Sequence, residues 1–247
     1  MSRLLTDSFF KRLFSALVLA PLVLWILFQG GLLFYVLIGL VTSLALAEWA
    51  NICLEMPPSS KLIYSFFGTL YILVCVYCFV LLPAYFNILL VFGIWFSDIG
   101  AYIIGRKFGK TRICPNISPN KTVSGLLGAS FVPALILYSI SLIYIEILGK
   151  SYDSSICYFN VHSFDTNLIY DPFTMLSAGT LALLFFVIGL AGQAGDLIIS
   201  AMKRKVSFKD TGTLIPGHGG ILDRIDALLL ASPAFLGLLI LIKVFSC

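Results

Sequence analysis

Seven stretches of this chain are apolar for about the length that a helix needs to cross a bilayer, roughly 20 residues. They constrain the fold more than anything else in the sequence. They run Leu13–Phe28, Gly31–Ala47, Leu62–Leu82, Asn87–Ile104, Ser124–Leu148, Phe173–Ala191 and Ala227–Phe245. The composition agrees: 60% of residues are hydrophobic, 11% are charged and the mean hydropathy is +1.02, whereas a soluble domain carries about 25% charged residues. The expectation is an all-α, polytopic transmembrane protein forming one integral membrane domain over residues 1–247.

Only Gln29 and Gly30 separate the first two apolar stretches, which predicts a tight hairpin. Pro57-Pro58 and Pro83 mark further breaks. Gly192–Met202 is less apolar, and reads either as a separate short helix or as a continuation of the preceding span. Arg3, Lys11 and Arg12 precede the first span, but no small-residue cleavage site follows it, so it reads as a retained anchor. Lys and Arg favour cytoplasmic loops. That rule places the N-terminus, Ala50–Lys61, Gly105–Val123 and Gly192–Asp226 inside, and Gly149–Asp171 outside.

The net charge is only +4, so the placement of the basic residues matters more than their number. Of sixteen Lys and Arg, five lie between Arg106 and Lys121 and five between Lys203 and Arg224. They flank membrane spans instead of covering a soluble face, which argues against a nucleic-acid partner. Cys75 and Cys78 form a C-x-x-C inside an apolar run, without a second pair at zinc spacing, and read as core thiols. Cys157 and Cys247 share the outer side in this map and are candidates for a disulfide.

Two polar segments stand out, and polar groups beside a bilayer usually have a functional reason. The first is SDIGAYIIGRKFGKTRICPNISPNKTVSG, Ser97 to Gly125. Asp98 and Tyr102 stand four apart, so a helix puts them on one face, with Arg106 and Lys110 beyond. These basic residues read equally well as a topology-setting, headgroup-binding patch. ISPNKT, Ile117–Thr122, reads as a turn presenting Lys121 and hydroxyls to a phosphate.

The second segment begins at Gly192 and ends at Asp226. Its last part, SAMKRKVSFKDTGTLIPGHGGILDRID, holds five basic residues, one His, four glycines and three Asp. Asp196 and Ser200 stand four apart, followed by Lys203 and Arg204. Pro216-Gly217 and Gly219-Gly220 break any helix between Lys209 and Ile221, and such a loop can point N–H groups at an anion. Asp223, Arg224 and Asp226 then open the final helix, where carboxylates also serve simply as caps. Capping does not account for Asp98 and Asp196 in so apolar a chain.

Carboxylates that could hold Mg²⁺, next to cations that could offset phosphate charge, point to phosphoryl or nucleotidyl transfer. The sequence has no Walker A motif, no G-x-S-x-G and no paired His for zinc. His218, set among glycines, is a candidate phosphate donor or a packed loop residue.

The run S-x-x-K-R-x4-K-D-x-G-x2-I-P-G-H-G-G-x2-D-R-x-D, Ser200 to Asp226, resembles the signature of the phosphatidate cytidylyltransferases, the CDP-diacylglycerol synthases. D-x-G-A-Y-x-x-G-R-x-F-G-K (Asp98–Lys110), I-S-P-x-K-T (Ile117–Thr122) and G-Q-x-G-D-L (Gly192–Leu197) resemble the same family. The sequence departs from it at Ser124, where that family carries Glu.

The resemblance implies transfer of CMP from CTP to phosphatidic acid, with Mg²⁺, a second cation such as K⁺, and a homodimer. It implies metal ligation by Asp196 and Asp223, with Ser200 lining the same site, and support from Asp226 and Asp98. Lys203, Arg204, Lys209 and Arg224 would bind phosphates, and His218, Gly219 and Gly220 would cradle the triphosphate. Tyr102, Arg106, Lys110 and Lys121 complete the expected substrate-binding set. Residues 13–104 are then N-terminal helices, and 105–247 the catalytic helices and cytoplasmic loops with the motif at 192–226, in a bacterial-type plasma membrane. Two other readings stand beside this one: a CTP-dependent lipid kinase of the dolichol kinase type, and a lipid-anion transporter.

Overall fold

The computed structural model describes residues 2–148, 172–215 and 219–246. Its helices are α1 (Ser2–Gln29), α2 (Gly31–Leu54), α3 (Pro58–Val80), α4 (Ala84–Phe108), α5 (Val123–Leu148), the short α6 (Pro172–Met175), α7 (Ala178–Lys205) and α8 (Leu222–Ser246). The all-α expectation is met. Six helices, α2 to α5, α7 and α8, are long and apolar enough to cross a membrane, and the chain is a polytopic helical membrane protein. The span expected over Leu13–Phe28 is matched by a shorter apolar stretch, Leu17–Gln29, in the second half of α1. The first half of that helix carries Arg3, Asp7, Lys11 and Arg12. Leu32 (79% exposed) and Leu62 (81% exposed) show large apolar side chains on the outside, as a lipid-facing surface requires.

The breaks fall where the chemistry put them. Gly30 and Gly31, with φ of 63° and 61°, make the α1–α2 turn in a backbone region open to glycine. Pro58 opens α3, where a missing N–H costs nothing, and Pro83 precedes α4. Ser177 accepts the Thr180 N–H and caps α7, so this helix starts at Ala178 and leaves Phe173 in α6.

Of the two readings of Gly192–Met202, the continuation holds: α7 runs unbroken through it to Lys205. Gly192 packs where a Cβ would meet Ile94 Cδ1 at 2.7 Å, and no proline interrupts the helical ladder. Ile117–Thr122 is not only a turn. Ser118–Thr122 forms a strand, β2, antiparallel to β1 (Arg112–Cys114), with Arg112 opposite Thr122 and Cys114 opposite Ser118. Strands this short, with Pro115 and Pro119 among them, offer no alternation to read.

The chain divides into two compact units, with divisions inside α3, α7 and α8. One comprises residues 1–76 and 198–226. In it Gly68 of α3 lies against the Trp49 indole of α2, where any larger residue would collide. The other comprises residues 77–197 and 227–247. There α4 and α5 cross closely enough that a Cβ at Gly128 would meet Ile104 Cβ at 2.8 Å. Phe86, Phe185 and Phe235, from α4, α7 and α8, meet in its buried core. Cys53 and Cys75 are buried thiols and Cys78 is a half-buried one, none of them in a disulfide. Cys157, Cys247 and the loop 149–171 lie outside the described residues.

Candidate active site

Within the second unit, the β-hairpin delivers Lys121 to α7. Its Nζ stands 2.6 Å from Asp196 Oδ2 and donates to the Gln193 carbonyl at 3.1 Å. Gln193, one turn before Asp196, donates through Nε2 to Asp98 Oδ1 on α4 at 3.2 Å. Asp98, Lys121 and Asp196, picked from separate motifs, therefore form one network with Gln193. Thr122 fixes the hairpin to α5: its Oγ1 accepts the Gly125 N–H at 3.1 Å and shares a 3.3 Å hydrogen bond with the Ser124 hydroxyl. Gly105 and Gly109 let α4 approach; a Cβ at Gly105 would meet Thr122 Oγ1 at 3.2 Å.

Tyr102 and Arg106 pair with each other instead, through a 2.7 Å hydrogen bond to the phenol oxygen. Both side chains are exposed, and so is Lys110 beyond the end of α4.

Within the first unit, α7 ends and α8 begins around a second network. Lys203 Nζ donates to Asp223 Oδ1 at 2.5 Å, and both side chains are buried. Asp223 Oδ2 accepts the N–H of Thr211 at 2.8 Å and of Gly220 at 3.1 Å. Asp223 thus closes the loop between the two helices onto the first turn of α8, an ordinary place for a carboxylate.

Two further amides, those of Ile221 and Leu222 where α8 begins, are met by Glu48 of α2, a residue that the sequence reading passed over. Its Oε1 accepts the Ile221 N–H at 2.8 Å, and its Oε2 accepts the Leu222 N–H at 2.9 Å and the Thr211 hydroxyl at 2.6 Å. The signal for Glu48 was a single acid next to an apolar run, which is rare enough in a membrane chain to ask for a partner.

Asp226, one turn after Asp223, is also buried, at 9% exposed. Gly219 turns with φ 85° and its carbonyl accepts the Ile215 N–H. Lys209 and Arg224 are exposed; Arg204 is exposed and donates to the Phe208 carbonyl at 2.8 Å. Ser200 is half-buried on α7, four residues after Asp196. His218 lies outside the described residues.

Among the described residues, no three His, Cys, Asp or Glu side chains gather as a preformed metal cage. One or two carboxylates suit Mg²⁺, which completes its shell with water and substrate phosphate. Asp196 and Asp223 belong to different units, and each already faces a lysine ammonium. An anionic substrate that attracts the lysine would release carboxylate oxygen for a cation.

A model of the cytidylyltransferase family matches residues 83–242. A Rickettsia typhi protein named phosphatidate cytidylyltransferase is 32% identical over 238 residues, covering 94% of this chain and 92% of its own. A Rickettsia bellii protein of the same name is 33% identical over 235 residues, covering 92% and 89%. A Bacillus subtilis namesake is 39% identical over 140 residues, covering 57% of this chain and 42% of its own. The family match takes in both networks except Glu48, and the rickettsial similarity extends along nearly the whole chain; the chain belongs to the cytidylyltransferase family.

Proposed function

We propose that this protein transfers CMP from CTP to phosphatidic acid, giving CDP-diacylglycerol and pyrophosphate. The observation that carries the reading is the near full-length similarity to two proteins named phosphatidate cytidylyltransferase. The two lysine–carboxylate networks support it, because each offers a cation to phosphate and a carboxylate to a metal.

A phosphatidate oxygen attacks the α-phosphorus of CTP, the bond to the β-phosphate oxygen breaks, and pyrophosphate leaves. A phosphomonoester has its second pKa near about 6, so the nucleophile is already largely ionised at neutral pH and no strong base is required. Electrostatic stabilisation of the charge on the phosphate oxygens then carries most of the rate. Lys121 and Lys203 are the half-buried and buried cations, and Arg204, Lys209 and Arg224 the exposed ones, available to the phosphates. Asp196 and Asp223 would each supply a carboxylate to Mg²⁺. When bound, Mg²⁺ would withdraw charge from the phosphate oxygens; K⁺ is a candidate second cation. Gly219 and Gly220 let the chain run close to the triphosphate, while the acyl chains of phosphatidate remain in the bilayer.

The clustering of basic residues beside the spans supports a site on the cytoplasmic side of a bacterial-type plasma membrane. The test is turnover of radiolabelled CTP with phosphatidic acid in detergent micelles, with Mg²⁺ or EDTA. Lipid-bound label, matching pyrophosphate and loss of both in EDTA are expected. Release of CDP would favour the lipid kinase, and substrate uptake into proteoliposomes without CTP turnover would favour a carrier.

A further inference from the structure

The amides at the start of α8 are of the kind that bind a phosphate, yet the protein fills that position with a carboxylate of its own. Ile221 and Leu222 give their N–H groups to Glu48, which is 8% exposed and stands 173 and 174 residues earlier in the chain. The hydroxyl of Thr211 goes to the same carboxylate, while the amide of Thr211 goes to Asp223. The two ends of the loop 211–222 are therefore tied together through two acids, only one of which belongs to the polar motif. Gly212 and Gly220 complete the seat. A Cβ at Gly212 would meet Glu48 Oε1 at 2.8 Å, and one at Gly220 would collide with Glu48 Oε2 and Thr211 Oγ1.

We infer that Glu48 is a positioning residue for nucleotide binding. It ties Thr211 to Ile221 and Leu222 and so places the neighbouring Gly219 and Gly220 for the triphosphate of CTP, without touching the substrate itself. This rests on the cytidylyltransferase reading. A neutral side chain of the same shape cannot replace it. The two carboxylate oxygens accept three donors, two of them amides on opposite oxygens. In Glu48→Gln one of those amides would face an NH₂ group, and an unsatisfied buried donor is costly.

The test is steady-state kinetics of Glu48→Gln, Thr211→Val and Thr211→Ser in detergent, varying CTP and phosphatidate separately. Melting temperature is measured with and without CTP. Glu48→Gln is expected to lower kcat/KM for CTP by roughly tenfold or more, with KM for phosphatidate changed less than twofold and with a smaller CTP-induced rise in Tm. One net hydrogen bond to a charged group contributes about 1.5–3 kcal/mol, which is a factor of about that size. Thr211→Val should follow it, and Thr211→Ser, which keeps the hydroxyl, should restore CTP affinity towards the parent value.

Unchanged CTP kinetics would overturn the inference. So would equal losses for both substrates together with a matching loss of Tm, the mark of a merely structural residue. If Glu48→Gln does not fold, Thr211→Val against Thr211→Ser decides by the same criteria. A parent protein that makes no lipid-bound product defeats the functional reading instead; the CTP-induced Tm shift then judges Glu48 separately.

Discussion

Lys203 and Asp223 join the end of α7 to the start of α8 through a 2.5 Å contact whose side chains are only 8% and 4% exposed. Removing one member of a buried pair leaves the other charge uncompensated, at a cost of about 3–5 kcal/mol. Lys203→Met is therefore expected to lower unfolding stability in detergent by that amount. Asp223→Asn should lower it too, because it loses the ion pair and turns an NH₂ group towards either Lys203 or the Thr211 and Gly220 amides. It should also abolish turnover. Thermal unfolding beside the CTP assay checks both; a Lys203→Met protein as stable as its parent would mean that the pair is solvated.

Lys121 and Asp196 make the same kind of contact at 2.6 Å, but with side chains 16% and 34% exposed. A partly buried pair is worth less than a fully buried one, nearer the roughly 0–1 kcal/mol of exposed pairs. Asp196→Asn should thus leave Tm within a few degrees of the parent while reducing turnover by roughly 100-fold or more, the scale lost when one electrostatic contribution to the transition state, here through the proposed Mg²⁺, is removed. Comparing Asp196→Asn with Asp223→Asn separates chemistry from folding: activity falls in both, stability mainly in the second. A similar fall in Tm for both would show that Asp196 holds the unit together.

The contrast between the two pairs explains how far the sequence could be read. Apolar length alone located six spans and suggested a seventh over Leu13–Phe28, where only the shorter Leu17–Gln29 is apolar helix, and the spacing of Asp196, Lys203, Gly220 and Asp223 marked where polar chemistry gathers. Capping by Asp223 was already an option, since its place at a helix start was visible. The partners of Glu48 were not legible, because α2 runs on to Leu54, beyond the expected end at Ala47, and they lie 163 to 174 residues away. The β-hairpin was hidden by its brevity. The continuity of α7 was left open because Gly192 and Gly195 dilute the hydropathy without interrupting the backbone ladder.

Glycine positions in α8 and just before it should respond oppositely to alanine. A methyl at Gly220 would collide with Glu48 and Thr211, so Gly220→Ala is expected to lose CTP-dependent turnover by roughly tenfold or more, with that pair forced apart. Gly237 lies in mid-helix, and a methyl group added there would meet nothing within 4 Å. Alanine at that position should keep turnover and gain up to about 1 kcal/mol from helix propensity. Turnover and Tm for the two variants check this. An active Gly220→Ala enzyme would show that the loop tolerates displacement of Glu48.

The end of α7 carries a residue in an unfavourable backbone conformation. Ser207 has φ 60°, while its N–H bonds the Arg204 carbonyl and the Phe208 N–H bonds the Lys203 carbonyl. That pair of bonds is the C-terminal motif in which glycine is the usual residue. A side chain in this region costs about 1–2 kcal/mol relative to a right-handed residue, a penalty that glycine escapes. Part of the gain is offset by glycine's greater freedom when unfolded. Ser207→Gly is therefore expected to stabilise the protein by about 1 kcal/mol or less, and Ser207→Val to destabilise it by more than that, because a β-branched residue resists positive φ. Ser207 is exposed, and the bond it gives to Arg204 comes from its backbone, so turnover at a temperature well below Tm should stay at the parent value in Ser207→Gly. Paired unfolding curves give the sign; a lower Tm for glycine than for valine would mean that the turn is held by something other than its backbone.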